Sequence, residues 1–595
     1  MIYGHRSAGR PGNDRGEYVR KPSLQTPETE NLSGLTGRRQ AAPLKKRHRR
    51  RVMDNNEFVI KKVNLVRYRG GGGTAVIPEG VKRIKEGAFE GCTELTAVTL
   101  PAGVTRIGER AFFGCTGLRS VTLGGGVTRI GREAFAGCTG LTAVTLPRGT
   151  KRIDARAFHG CTGLRSVTFP EGFTRIDPCA FKGCTELAAV ILPVGFQHIG
   201  DGAFEGCTGL KSVTIPGSAA SIGSRAFAGC TELKSVTIQE GVTRIDDWAF
   251  AECAGLTEIF LPATMTELGS GVFRGCTGLT RVNVSRENPV YNSSVDGVFS
   301  RDGKTLAVWL GSTDSYEIPE GVTGIGGGAF DHCTWLRSVT IPESLVSIGD
   351  WAFRGCTGLT EVVLPAGLTH IGEHAFEGCS GLQRMSVPAG AERIGIGAFC
   401  GCTGLKEVAL SEGLTSIGRW AFEGCAELTA LVLPESVVSI DPAAFRNCTG
   451  LTGMKLPAGL TSIEAFLFDG CTGLTEITLP AAVARIGTCA FRLCTKLEAI
   501  TLPGSVERID YEALRDCTCL KRVNIPEGVT RIGGRAFGWC RSLTGITLPE
   551  SARFIDNTAF VGCEHLTVRV TSGSDAEKYC RENSLEYRCV NAGDG

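Results

Sequence analysis

CTGLRSVTLGGGVTRIGREAFAGC, residues 115–138, contains one complete period of the chain from cysteine to cysteine. Counting from Cys115, apolar residues fall at +3, +6, +8, +12 and +15 (Leu118, Val121, Leu123, Val127, Ile130), and Ala134 and Phe135 precede Cys138. The L-x-x-V-x-L segment alternates as a half-buried strand does, with Ser120 and Thr122 outward. The V-x-x-I segment reads as a second short strand or extended corner, and A-F-x-G-C as a single helical turn closed by glycine. In many periods a proline follows the first strand (Pro101, Pro147, Pro193), where the missing N–H ends ladder pairing.

The same cysteine returns every 23 residues from Cys92 to Cys276 and, after a gap of 57, from Cys333 to Cys563. A fixed period of this size predicts a solenoid whose coils stack into one continuous core. A single coil has too few apolar side chains to offset its own ordering; stacking buries both of its faces and pairs each strand twice. One Phe and one small thiol per coil, with glycine at the corners, account for 20 of the 26 cysteines and for many of the 81 glycines; Cys179, Cys400, Cys489, Cys519, Cys580 and Cys589 lie off the lattice.

The string L-x-x-V-x-L-P-x-x-V-x-x-I-x-x-x-A-F-x-G-C resembles the BspA-like class of bacterial leucine-rich repeats over about residues 58–590. Its departures are Leu514 in place of Phe in one coil and loss of register around Cys563. The resemblance implies a right-handed leucine-rich repeat solenoid. A parallel β-sheet lines its concave side, and short strands with single helical turns line its convex side. Counting the first-strand position from Ile77 to Leu548 gives 21 strands, on the order of 100 Å of sheet at about 4.8 Å per strand.

The expected organisation is a basic tail of disordered composition (1–52), an N-terminal cap (53–73), coils (74–284), a hairpin-bearing insertion (285–315), coils (316–565) and a C-terminal cap (566–595). The tail carries 13 Lys/Arg against 4 Asp/Glu, and its removal leaves about −6 on the rest of a chain whose total is +3. That balance argues against general nucleic-acid affinity in the folded part. Met53 opens a stretch that suits the start of such a repeat protein, so translation from Met53 is an expectation too. In the insertion, Asp302-Gly303 between two apolar runs signals a hairpin, and Asn288-Pro289, Tyr291 and Asp296-Gly297 fit the hairpin-bearing coil common in the class. Ser574 or Asp575 is expected to cap a short helix.

No apolar leader or membrane-length run is present, which makes the cytoplasm the expected compartment. The cell surface is the alternative, since many proteins of the class are exported. One thiol at the same lattice point of each coil reads as a small buried hydrophobe rather than a disulfide framework.

Chemical motifs dissolve into the repeat. His370-Ile-Gly-Glu-His374 spells an inverted zinc-protease string, but it overlays the ordinary corner Arg106-Ile-Gly-Glu-Arg110. Gly324-Ile-Gly-Gly-Gly-Ala329 imitates a dinucleotide fingerprint at another such corner. Cys400 with Cys402, and Cys517 with Cys519, each pair a lattice thiol with a neighbour. No catalytic set, metal site or cofactor is expected, and the chain reads as non-enzymatic.

Binding is expected on the exposed first-strand positions, +5 and +7 from each cysteine. Early coils are bland there (Ala97, Ser120, Ala143, Ser166; Thr99, Thr122, Thr145, Thr168). The pattern then changes to Glu258, Phe260, Arg281 and Asn283, and later to Glu361, Arg384 and Glu407. Phe260 and Arg281, with Tyr291 and Trp309 of the insertion, form a candidate protein-binding patch; alternatively Phe260 packs under the hairpin and seals the irregular coil. A second candidate is an arginine ladder (Arg83, Arg106, Arg129, Arg152, Arg175), either an anion-binding stripe or a solvated face balanced by Glu86, Glu109 and Asp154. The expected function is a protein–protein interaction scaffold. The alternatives are an adhesin-like surface protein binding host or matrix proteins, and a polyanion binder using the tail and the arginines.

Overall fold

The computed structural model describes residues 52–55 and 57–590. The basic segment through residue 51 lies outside the described residues. Each coil contributes one strand to a first sheet, two residues of strand to a second sheet, and a turn segment that closes the third edge. The first-sheet strands run parallel and in register, as in Ala143–Thr145 against Ser166–Thr168. The second-sheet strands do the same, as in Arg152–Ile153 against Arg175–Ile176. Val121, Ile130 and their equivalents point between the sheets and are buried in nearly every coil, Tyr316, Leu268 and Ile555 being only partly so.

The turn edge differs from the expected helical turn. In the segment 110–115, the N–H groups of Arg110, Phe112 and Gly114 donate along the stack to Arg132, Ala134 and Ala136 carbonyls at 2.9, 2.7 and 2.8 Å. The intervening Phe113 and Cys115 close i→i−3 turns on Arg110 and Phe112. A helix would direct every donor along its own axis; here half of them are needed to hold the next coil. The geometry requires two left-handed residues per coil, Arg110 (φ 51°) and Gly114 (φ 69°) in this one. Glycine meets the second without a steric penalty. The first is glycine in five coils (Gly87, Gly202, Gly271, Gly328, Gly397) and elsewhere a mixture that includes Arg, Glu, Trp, His and Cys (Glu133, Trp248, His374, Cys489), so composition did not reveal it. The one described α-helix is Asp575–Glu582, capped by the Ser574 side chain, which accepts from the Glu577 N–H.

Two columns run the length of the stack. Phenylalanine rings lie face to face at 4.6–6.1 Å, from Phe89 to Phe273 and again from Phe330 to Phe491. Beside them, the lattice thiols other than Cys92 and Cys333 donate to the carbonyl at the Phe position of the preceding coil, as Cys115 Sγ does to Phe89 O (3.0 Å), Cys379 Sγ to Phe353 O (3.1 Å) and Cys540 Sγ to Leu514 O (3.2 Å). The position therefore requires a residue that is small, apolar and still a hydrogen-bond donor, which is the combination cysteine supplies. All 26 thiols are unpaired.

Burial pushes the Cys161, Cys379 and Cys471 thiols from an ordinary value of 9.0 up to about 12. Two outcomes are expected. A thiol reagent at neutral pH should label exposed Cys519 and Cys589 rapidly, and the spine thiols only on unfolding; mass mapping of labelled peptides checks this. In the unfolded chain these three thiols release their protons near pH 9, whereas in the folded chain they keep them to about 12. The folded state therefore binds more protons between those values, so stability should be full below pH 9 and fall as pH rises towards 12. Urea midpoints measured from pH 8 to 11 would show the decline, and a flat profile would contradict it.

The ends and the interruption depart from the repeat. Val52–Asn55, Phe58–Lys61 and Asn64–Tyr68 form an antiparallel meander that heads the second sheet. The strand Glu586–Val590 closes the first sheet against Thr567–Thr571. The insertion places Tyr291–Ser293, Gly297–Ser300 and Thr305–Trp309 in the second sheet, the last running parallel to Gly324–Ile325. Asn288 anchors it: its Nδ2 donates to Pro262 O and Met265 O (2.9 and 2.8 Å), and its Oδ1 accepts from Val290 and Tyr291. The buried core divides here into two clusters, Phe58 to Val298 and Phe299 to Cys580. The first sheet is also interrupted at 428–434, where the coil of Leu433 forms no strand.

Candidate functional site

The first-sheet surface before the insertion carries the clearest change of chemistry. Glu258–Leu261 and Arg281–Val284 pair only with each other in the first sheet, with Glu258 opposite Arg281 and Phe260 opposite Asn283. Alternation sends Ile259, Leu261 and Val282 inward and leaves Glu258, Phe260 and Arg281 exposed. Phe260 is 48% exposed in a column where Thr214 and Thr237 precede it. Half of its ring thus remains in water, so the insertion does not bury it.

Sequence reasoning had grouped Tyr291 and Trp309 with Phe260, and the structure separates them. Tyr291 belongs to the second sheet, and its hydroxyl accepts from the Leu268 N–H at 3.1 Å. Trp309 is 4% exposed and sits 5.2 Å from the Phe330 ring, in the aromatic column. It fills the place left by the missing phenylalanine, and its backbone N–H takes the Ala329 carbonyl. A ring needed to continue the core cannot also serve as a surface anchor. Beyond the insertion, Glu361, Arg384 and Glu407 stand in register on neighbouring strands. Arg384 Nε lies 3.5 Å from Glu407 Oε2 with both side chains mostly in solvent, a pair of small energetic weight. Val363, 70% exposed, adjoins this row.

The five arginines do form a ladder, Arg83 to Arg175, in register on the second sheet. Its charge is partly cancelled. Asp154 pairs with Arg129 (2.7 Å) and Arg152 (2.9 Å), and Asp177 with Arg152 and Arg175. Asp at the corner, in place of Gly, reaches the ladder residue two positions earlier; Asp246 and Asp510 do the same for Arg244 and Arg508. The R-I-D string was the signal for these pairs. Arg83 and Arg106 have no ion pair among the described residues.

His370 lies on a second-sheet strand, whereas His374 lies on the turn edge with its ring stacked on Trp351 and Nδ1 3.1 Å from Glu377. The two imidazoles do not share a helix face. Cys402 donates to Phe376 O within the spine, while Cys400 sits apart on the turn. Among the described residues no group of three His, Cys, Asp or Glu side chains could hold a metal ion, and no helix is long and apolar enough to cross a membrane.

The family model described as BspA type leucine rich repeat region (6 copies) matches residues 73–188, 180–295, 309–395, 382–469 and 439–567. The chain belongs to the BspA-type leucine-rich repeat family. No curated protein matches it. Solved structures similar to it include a leucine-rich repeat protein of Bacteroides ovatus, at 24% identity over 77% of this chain and 93% of that one, TM-score 0.33. A leucine rich cell surface protein of Faecalibacterium prausnitzii is 25% identical over 72% and 91%, TM-score 0.36. The pneumococcal vaccine antigen PcpA is 16% identical over 91% and 99%, TM-score 0.35. Within the BspA-type repeat, Phe260 occupies an outward strand position most often filled by Thr, on which the ring column does not depend.

Proposed function

We propose that this BspA-type repeat protein is a non-enzymatic scaffold that binds a protein partner on its first-sheet surface around Phe260 and Arg281. The observation that carries the reading is a half-exposed aromatic ring flanked by Glu258 and Arg281, on a sheet face whose preceding coils present mostly Ser, Thr and Ala, with Ile191 as the other large exposed apolar side chain there. Aromatic and arginine side chains on a polar surround are the usual anchors of protein interfaces. Glu361, Arg384 and exposed Val363 extend the surface beyond the insertion. Family membership supports a binding role. The second-sheet arginines are less suited to an anionic partner, since Asp154 and Asp177 already engage three of the five.

The test is the pair Phe260→Thr and Arg281→Ser, which install residues found at equivalent positions of other coils. Unfolding midpoints are expected to stay within about 0.5 kcal/mol of the parent, while a partner captured by the parent from native lysate is lost or weakened at least tenfold. Undiminished capture by the double variant would refute the site.

A further inference from the structure

The outward first-strand position five residues after each cysteine holds Glu407, Ala430, Gly453 and Glu476 on successive coils. Two small residues therefore stand between two glutamates, at the place where the first sheet is interrupted. The ladder that ends at Glu407–Leu410 and the one that begins at Gly453–Lys455 are not joined. Between them, residues 430–433 make no backbone hydrogen bond among the described residues. A groove of about 640 Å³ opens on the sheet face here, within the range of ligand sites.

Its floor is apolar and its rim is acidic. Leu431, Leu433, Met454 and Ile477 belong to the core beneath it, and Leu410 is only half-buried. Strand parity turns Leu431 and Leu433 inward and leaves Val432 outward, 82% exposed. The rim carries Glu412, Glu435, Glu476 and Lys455. Lys455 Nζ donates to Glu435 Oε1 at 2.9 Å, so the one cation is neutralised within the rim. Glu412 and Glu476 have no ion pair among the described residues, and they give the groove its charge. From Glu407 to Glu476 the groove crosses three coil spacings, about 14 Å at about 4.8 Å each, which is the length of about four residues of extended chain.

We propose that this groove binds a short extended segment of a basic protein partner. Apolar side chains of the segment lie on the floor against Val432, and its lysine or arginine side chains reach Glu412 and Glu476. An acidic segment would meet two uncompensated carboxylates, and a purely polar cation would leave the floor in water. The contact is separate from the Phe260 surface, which lies before the insertion and presents Glu258 beside Arg281.

Fluorescence anisotropy of a labelled five-residue peptide of alternating lysine and leucine, titrated with the full chain at low salt, tests this. Binding is expected, with no binding of the glutamate–leucine counterpart and about tenfold weaker binding of the lysine–serine one. Glu412→Gln combined with Glu476→Gln is expected to weaken the lysine–leucine peptide about tenfold and to flatten its salt dependence. Val432→Thr, which installs the residue of the equivalent position Thr478, is expected to weaken it about threefold with the salt dependence unchanged. The variant carrying Phe260→Thr and Arg281→Ser is expected to bind the peptide as the parent does. Equal binding of the lysine–serine peptide would mean general attraction of cations and overturn the proposal. Undiminished binding by the glutamate and Val432 variants would overturn it too, as would loss of binding in the Phe260 and Arg281 variant or no binding at millimolar peptide.

Discussion

Replacing Phe376 with alanine is expected to cost about 3–5 kcal/mol of stability, the range for emptying a fully buried aromatic site. The ring is wholly buried and stacks at 5.1 Å on Phe353 and 5.5 Å on Phe399. Its loss therefore weakens two coil–coil interfaces at once, and a stacked array derives its stability from such nearest-neighbour terms. Phe376→Leu should cost much less, about 1–1.5 kcal/mol, because the chain already accommodates Leu514, fully buried, at the equivalent point of another coil. Chemical unfolding followed by circular dichroism distinguishes the two. An alanine variant unfolding within about 1 kcal/mol of the parent would mean that the ring column does not hold the stack together.

The second large effect is expected from Trp309→Ala. This indole joins the ring column where the insertion omits a phenylalanine, and it lies beside Phe330, Tyr316 and Trp335. Truncation should cost about 3–5 kcal/mol. The loss falls at the seam between the two buried clusters, so their unfolding should separate. Calorimetry should show the core from Phe299 to Cys580 melting earlier, with the core from Phe58 to Val298 less affected. Equal displacement of all unfolding would contradict a weakened seam. Polar and aromatic contacts also cross the seam, Arg274 to Asp331 and Trp248 to Trp351 at 5.3 Å, so uncoupling should be partial.

Much of this architecture was legible because the repeat states the same instruction many times. Leu118, Val121, Leu123, Val127 and Ile130 are placed by alternation alone, and their equivalents recur coil after coil. The turn segment was harder. Phe and Cys were recognisable as core, but a short A-F-x-G-C string is compatible with a helical turn. Only the direction of the Phe112 and Gly114 N–H groups, towards the next coil, excludes one. The candidate surface was half legible. Phe260 and Arg281 follow from strand parity, whereas Tyr291 and Trp309 were misplaced, because outside the repeat no period says which way a ring points.

From the sequence by itself came the period, the two strands per coil, the buried Phe and thiol columns and the exposed face that carries Phe260, since each depends on local alternation repeated at fixed spacing. The tertiary structure alone decided three things: the bonding of the turn edge, the pairing of Asp154 and Asp177 with the ladder, and the capture of Trp309 by the aromatic column. These depend on what lies one coil away in space, where a missing ring leaves a gap that the nearest large side chain fills.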